Sequence, residues 1–206
     1  MSLYSLQSRD LKDLGPDKAV DFFRRLLWAE ALRVGIARHL IDAPDCINIG
    51  DGGLDAIIKD AEPVIEDFIP AGISGFQIKS SDLQPAECRQ ELHSGGNLKP
   101  AIKRVLDANG VYVLVLFEEM PSETMKRDRE NAILEELSKI GYKSPNVRVY
   151  TINQLISFAE RYPALVSWLK GYEIVCLPYQ KWANSRDVSY PRQYILDSQR
   201  EVSLMR

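Results

Sequence analysis

The sequence predicts an α/β protein with a mixed central sheet flanked by helices. Three observations lead there. Residues 46–81 hold three short apolar runs, at 47–49, 56–58 and 73–78. Gly50, Asp51, Gly52 and Gly53 separate the first two, and Pro63, Pro70 and Gly72 fall between the second and third. Asp-Gly between apolar runs is a hairpin signal, so the three runs predict adjacent antiparallel strands. Next, from residue 100 onward helical and strand patterns alternate, which implies crossovers packed on a sheet. Finally, residues 111–117, VYVLVLF, are continuously apolar, as in a strand buried on both faces near the sheet centre.

The elements follow in order. Residues 1–15 are polar and predict a loosely attached arm. Pro16 and Asp17 suit the first turn of a helix, one by its fixed φ and the other by its charge at the positive end of the dipole. That helix is predicted to run to about residue 40. Phe23, Leu27 and Val34 form its apolar stripe, and Glu30 falls on the same stripe. A carboxylate there needs a partner, and Arg33 or Arg25 could supply one at the helix edge. Residues 84–98 predict a short helix and a Ser-Gly-Gly loop. Pro100 opens a helix with Ile102, Val105 and Leu106 inward, closed by Asn109 and Gly110. Ser122 caps a helix that ends near Gly141, with Ile133, Leu137 and Ile140 inward. Residues 147–150 form a strand. Thr151 caps a helix with Leu155, Ile156 and Ala159 inward, and Pro163 breaks or restarts it. Residues 174–177 suit one more strand, and a further helix is expected from Ile195. The domain division is an arm at 1–15, a main domain at 16–180 and an extension at 181–206.

Composition narrows the class. The chain has 206 residues, 45% hydrophobic and 27% charged, which suits one ordinary globular domain. A net charge of −3 does not advertise nucleic-acid binding, so any such contact must use a local basic surface. Cys46, Cys88 and Cys176 lack CxxC spacing, which suggests free thiols in a reducing cytoplasm. No signal peptide or membrane-spanning run is expected. His39 and His93 have no second histidine or cysteine at ligand spacing, which argues against histidine-dependent nucleophilic catalysis. No GxxxxGK[ST] loop is present, and Gly50–Gly53 lead into a strand rather than a helix N-terminus, which disfavours nucleotide binding.

The polar residues inside the predicted strands carry the chemistry. Gln77 and Lys79 are two apart, so they share one face of their strand about 7 Å apart. Phe76 and Ile78 take the other face. In an antiparallel pair, the end bearing Gln77 and Lys79 lies beside Asp55. A carboxylate, an amide oxygen and an ammonium would converge at a sheet edge. Aspartate is disfavoured in strands, so Asp55 asks for a chemical reason, the alternative being a strand cap. Asp51 is explained by turn geometry.

This pattern resembles the PD-(D/E)xK nuclease superfamily, and within it the Mrr-like branch, in which a GDGGxD turn and strand precede a QxK strand. The matching residues are Gly50, Asp51, Gly52, Gly53, Asp55, Gln77 and Lys79. The resemblance implies a restriction-endonuclease-like fold over roughly residues 17–170. It implies that Asp55 and Gln77 hold a metal ion, with Glu30 from the first helix and the carbonyl of Ile78, and that Lys79 is the catalytic lysine. Glutamine at the (D/E) position departs from the commoner pattern and removes one negative charge. The implied activity is magnesium-dependent hydrolysis of double-stranded DNA, with manganese able to substitute. Lys99, Lys103 and Arg104 are candidate phosphate contacts. Domains similar to this stand at the N-terminus of bacterial antiviral proteins that continue into a STAND-type ATPase. The resemblance therefore implies an effector domain that works as a homo-oligomer through a C-terminal domain outside this chain. The competing expectation is a nuclease-fold module that binds nucleic acid or oligomerises without catalysis.

Overall fold

The computed structural model describes residues 5–44, 52–62, 67–120 and 122–171. The chain divides into two compact units, residues 1–173 and 174–206, and every described residue lies in the first. The predicted strands at 47–49 and 174–177, the helix from Ile195, and Asp51, Cys46 and Cys176 lie outside the described residues.

The first unit is an α/β layer structure around a five-stranded mixed sheet. Its strands are β1 (Ile41–Asp42), β2 (Ala56–Ala61), β3 (Gly72–Lys79), β6 (Val111–Leu116) and β7 (Asn146–Tyr150), in that spatial order. A two-stranded hairpin of β4 (His93–Ser94) and β5 (Asn97–Leu98) stands apart from it. β1, β2 and β3 are antiparallel neighbours, whereas β6 runs parallel to β3 and β7 parallel to β6. The strand that pairs with β2 on its outer side is therefore Ile41–Asp42, just past the predicted end of the first helix.

The parallel half follows from two crossovers. α3 (Pro85–Glu91), the hairpin and α4 (Pro100–Asp107) join β3 to β6, and α5 (Glu123–Lys139) joins β6 to β7. Both crossovers advance the same way across the sheet, so the strong preference for one crossover hand puts their helices on one face. On that face Tyr112, Leu114 and Leu116 pack with Cys88, Leu92, Ile102, Val105, Ile133 and Leu137. The opposite face of β6, through Val113, Val115 and Phe117, packs with α2 (Pro16–Arg33), α6 (Ile152–Ala159) and α7 (Pro163–Leu169). Every β6 residue is buried, as a strand covered on both sides requires.

α2 seats its phenylalanines on the sheet. Phe23 lies 5.3 Å from Phe76, centroid to centroid, and Phe22 meets Phe117 edge-on at 6.0 Å. The helix stops at Arg33 rather than near residue 40. Gly35 adopts φ +80°, which an L side chain rarely tolerates, and the Ile36 amide reaches back to the Ala31 carbonyl at 2.8 Å to close the turn. A 3-10 turn at Arg38–Leu40 then delivers the chain to β1. The remaining caps follow the sequence: Ser122 Oγ accepts from the Met125 amide, and the Thr151 hydroxyl caps α6.

The segment before Pro16 is not a loose arm over its described part. α1 (Ser8–Lys12) buries Leu11 completely, and Leu6 is nearly so. The Leu6 amide donates to Glu160, and Lys170 donates to the Ser5 carbonyl. Polar composition hides this anchor, because two leucines suffice to make it. Leu11→Ala should lower unfolding free energy by about 2–5 kcal/mol in chemical denaturation, the cost of a buried leucine. An unchanged midpoint would show that α1 is dispensable to the core.

Candidate functional site

The β2–β3 register builds the site. Ala56 stands opposite Phe76, which carries Asp55 opposite Gln77 one step further on. The Asp55 amide donates to the Phe76 carbonyl at 2.8 Å. Its carboxylate Oδ2 accepts the Ile78 amide at 2.6 Å, taking a place that a ladder carbonyl would otherwise fill. Within a strand a residue's N–H and C=O point to the same edge, so the Ile78 carbonyl also faces the Asp55 side. Asp55, Gln77, Lys79 and Ile78 thus meet at the C-terminal end of β3. β3 is the middle strand of five, so this meeting point lies at a strand end inside the sheet rather than along its edge.

Gln77 is nearly buried, at 3% exposure, and its amide is oriented by two partners. Nε2 donates to Glu91 Oε2 at 2.6 Å, and Oε1 accepts from the Tyr112 hydroxyl at 2.7 Å. A carboxylate accepts only, so the NH2 end must face Glu91. Burial, and then the nearby Glu91 charge, push the Tyr112 hydroxyl well above its ordinary pKa, so it remains a donor.

Glu91 is the centre that sequence reasoning missed. Its Oε2 accepts Gln77 Nε2, Lys79 Nζ at 2.8 Å and Lys99 Nζ at 3.0 Å. Burial alone would raise its pKa, but the hydrogen bonds and charges of Lys79 and Lys99 together outweigh that and hold it below the ordinary value. One signal was available. Cys88 in α3 and Leu92, its C-cap, are buried at a spacing of four, and Glu91 lies three after Cys88, on the flank of the buried stripe. Tyr112 also carried one, since a tyrosine in a fully buried strand needs a partner for its hydroxyl.

The Gly52–Gly53 turn is shaped around Lys99. Gly53 has φ +104°, and a Cβ there would come within 2.3 Å of Lys99 Cδ. The Gly52 carbonyl accepts the Ala101 amide, tying the turn to the start of α4. Arg104 is exposed and lines, with Asp42, Leu54 and Asp55, a cavity of about 210 Å3. Lys103 pairs with Asp107 along the exposed side of α4.

Glu30 is not brought to this group. It is 1% exposed and bonds to Arg33 at 2.7 Å, to the Tyr162 hydroxyl at 2.8 Å and, at 3.5 Å, to Arg161. α2 covers the Phe76 face of β3, whereas Gln77 points to the face covered by α3 and α4. The partner of Glu30 is the helix-edge arginine, joined by two groups from the connection between α6 and α7. His39 is exposed, and His93 Nε2 lies 3.2 Å from Glu136 Oε1. Cys88 is a buried thiol pushed up to about 11 chiefly by burial, so it is inert as a nucleophile.

A magnesium-type ion takes oxygen donors. Among the described residues no three acidic, histidine or cysteine side chains gather around one point. Any such ion would therefore depend on mixed donors. The carboxylates of Asp55 and Glu91 and the Ile78 carbonyl fit it in kind. The Gln77 oxygen is turned inward to Tyr112, so Gln77 serves by holding Glu91. No family model, curated protein or solved structure matches this chain.

Two predictions follow from this geometry. Glu30→Ala should cost on the order of 3 kcal/mol in chemical denaturation, because it leaves a charged cluster without its carboxylate. An unchanged stability would remove that structural role. For Glu91 the folded pKa is depressed, so its stabilising contribution is complete above the ordinary glutamate range and is lost as pH falls through the lower folded value. The stability gap between wild type and Glu91→Gln should therefore narrow on acidification below pH 4.5. A gap that widens there would reverse the assignment.

Proposed function

We propose that this chain is a metal-dependent nuclease domain that hydrolyses DNA phosphodiester bonds, in the manner of the PD-(D/E)xK enzymes its sequence resembles. The observation that carries the reading is the register-fixed meeting of Asp55, Gln77 and Lys79 at one strand end, on a sheet of antiparallel β1–β3 continued by parallel β6 and β7. Asp55, with the Ile78 carbonyl and Glu91, would hold the ion. When bound there, a magnesium-type ion supplies a water of lowered pKa and offsets charge on the phosphate.

The chain's own groups do the rest. Water oxygen adds to phosphorus as the P–O bond to the leaving oxygen breaks, giving a phosphate monoester and a free hydroxyl. Lys79 places an ammonium at the site mouth, where it stabilises the charge that grows on the phosphoryl oxygens. Glu91 orients that ammonium, and Gln77, locked by Tyr112, orients Glu91. Arg104, on the Asp55 cavity, suits a backbone phosphate.

A second reading has its own observation. Gln77 presents NH2 rather than oxygen to Glu91, and Glu91 already faces two ammoniums. This favours a nuclease-fold module that binds nucleic acid without cutting it. Plasmid cleavage by the whole chain, with magnesium or manganese and with a chelator, separates the two. The nuclease reading predicts metal-dependent nicking that Lys79→Ala reduces at least a hundredfold. Cutting at the wild-type rate by Lys79→Ala would remove Lys79 from the chemistry. Duplex binding in chelator with no cleavage under any metal would favour the binding module.

A further inference from the structure

We infer that Lys99 is a second substrate lysine of this site, and that Lys79 and Lys99 together form the seat of the scissile phosphodiester. Glu91 holds that seat assembled in the free protein. The inference rests on the phosphodiester reading above and names the groups that take its phosphate.

Three observations point to it. Lys79 Nζ and Lys99 Nζ each bond the same oxygen, Glu91 Oε2, at 2.8 and 3.0 Å, so the two ammoniums stand side by side. Like charges at that separation repel and stay together only around an anion. Glu91 holds the two ammoniums through one oxygen, and the second carboxylate at this strand end, Asp55, is the one assigned to the ion. Each ammonium has three N–H donors, so both keep donors for an anion, and the two non-bridging oxygens of a phosphodiester suit two separate ammonium donors.

Lys99 is also held in place from several directions. Its side chain is only 17% exposed. Its amide bonds the Leu92 carbonyl at 2.9 Å, which fixes its backbone against the end of α3. Its stem lies across Gly53, where any Cβ would collide with Lys99 Cδ, Cγ and Cβ. The second glycine of the turn is therefore required by the path of this lysine.

Helix electrostatics argue in the same direction. Lys99 is the N-cap residue of α4, a position that favours Ser, Thr, Asp or Asn and disfavours a cation next to the positive end of the dipole. Local propensity thus opposes a lysine here, and its ammonium is instead aimed at the Lys79 group. Arg104, on the same helix, is exposed and lines the cavity that Asp55 also lines.

The test is duplex-DNA binding by the whole chain, followed by fluorescence anisotropy in calcium and in chelator over a range of salt concentrations. Wild type, Lys99→Ala, Lys99→Arg and, as a control distant from the site, Lys139→Ala would be compared. Lys99→Ala should weaken binding about tenfold and lower the slope of log affinity against log salt by about one, the signature of one lost phosphate contact. Lys99→Arg should restore the slope, and Lys139→Ala should match wild type. A merely structural Lys99 would shift thermal unfolding and leave the salt slope at the wild-type value, which would overturn the inference. If wild type cuts plasmid while Lys99→Ala keeps its slope, the inference fails and the nuclease reading stands. If wild type neither binds nor cuts, both fail together.

Discussion

The antiparallel register that sets Ala56 against Phe76 is the constraint on which the site depends. Side chains alternate along a strand, so a slip of one residue would turn Gln77 and Lys79 toward α2 and bury Phe76 and Ile78 on the wrong face. The apolar side enforces the register: Ala56, Ile58 and Phe76 all lie in the core beneath α2. The Asp55–Ile78 bond fixes it from the polar side. Hydrophobic packing on one face of the sheet thereby places chemistry on the other.

The polar side forms a connected network rather than a set of isolated contacts. Tyr112, sealed in the core, donates to Gln77, which donates to Glu91, which in turn accepts both lysines. Such a chain runs from a fully buried hydroxyl to partly buried ammoniums, and every link has a fixed direction. A buried polar group left without a partner is costly, so each member constrains the next. The lysines are consequently oriented before any substrate arrives, which is what a charge-stabilising site requires.

Much of this was legible in the sequence. The VYVLVLF run announced a strand covered on both faces, and Ser122, Thr151 and Pro163 marked helix starts where they occur. The spacing of Gln77 and Lys79, with the Gly-Gly turn before Asp55, put the three residues at one strand end, as the β2–β3 register does. What stayed hidden required tertiary information. Periodicity shows that Glu30 shares the apolar stripe of α2 but not which face of the sheet that helix covers, so its separation from Asp55 could not be read. The end of α2 was misplaced because Gly35 reads as a tolerated interior glycine until its φ is known. β1 is two residues long, too short to show alternation. Glu91 and Lys99 come from different elements, and only folding brings them to one oxygen.

The most direct measurement is a calorimetric titration of manganese into the whole chain, wild type beside Asp55→Ala, with thermal unfolding recorded for each. The account predicts binding by wild type that disappears in Asp55→Ala while the fold is retained. Equal binding by both proteins, or none by wild type, would contradict a metal-dependent site at the end of β3.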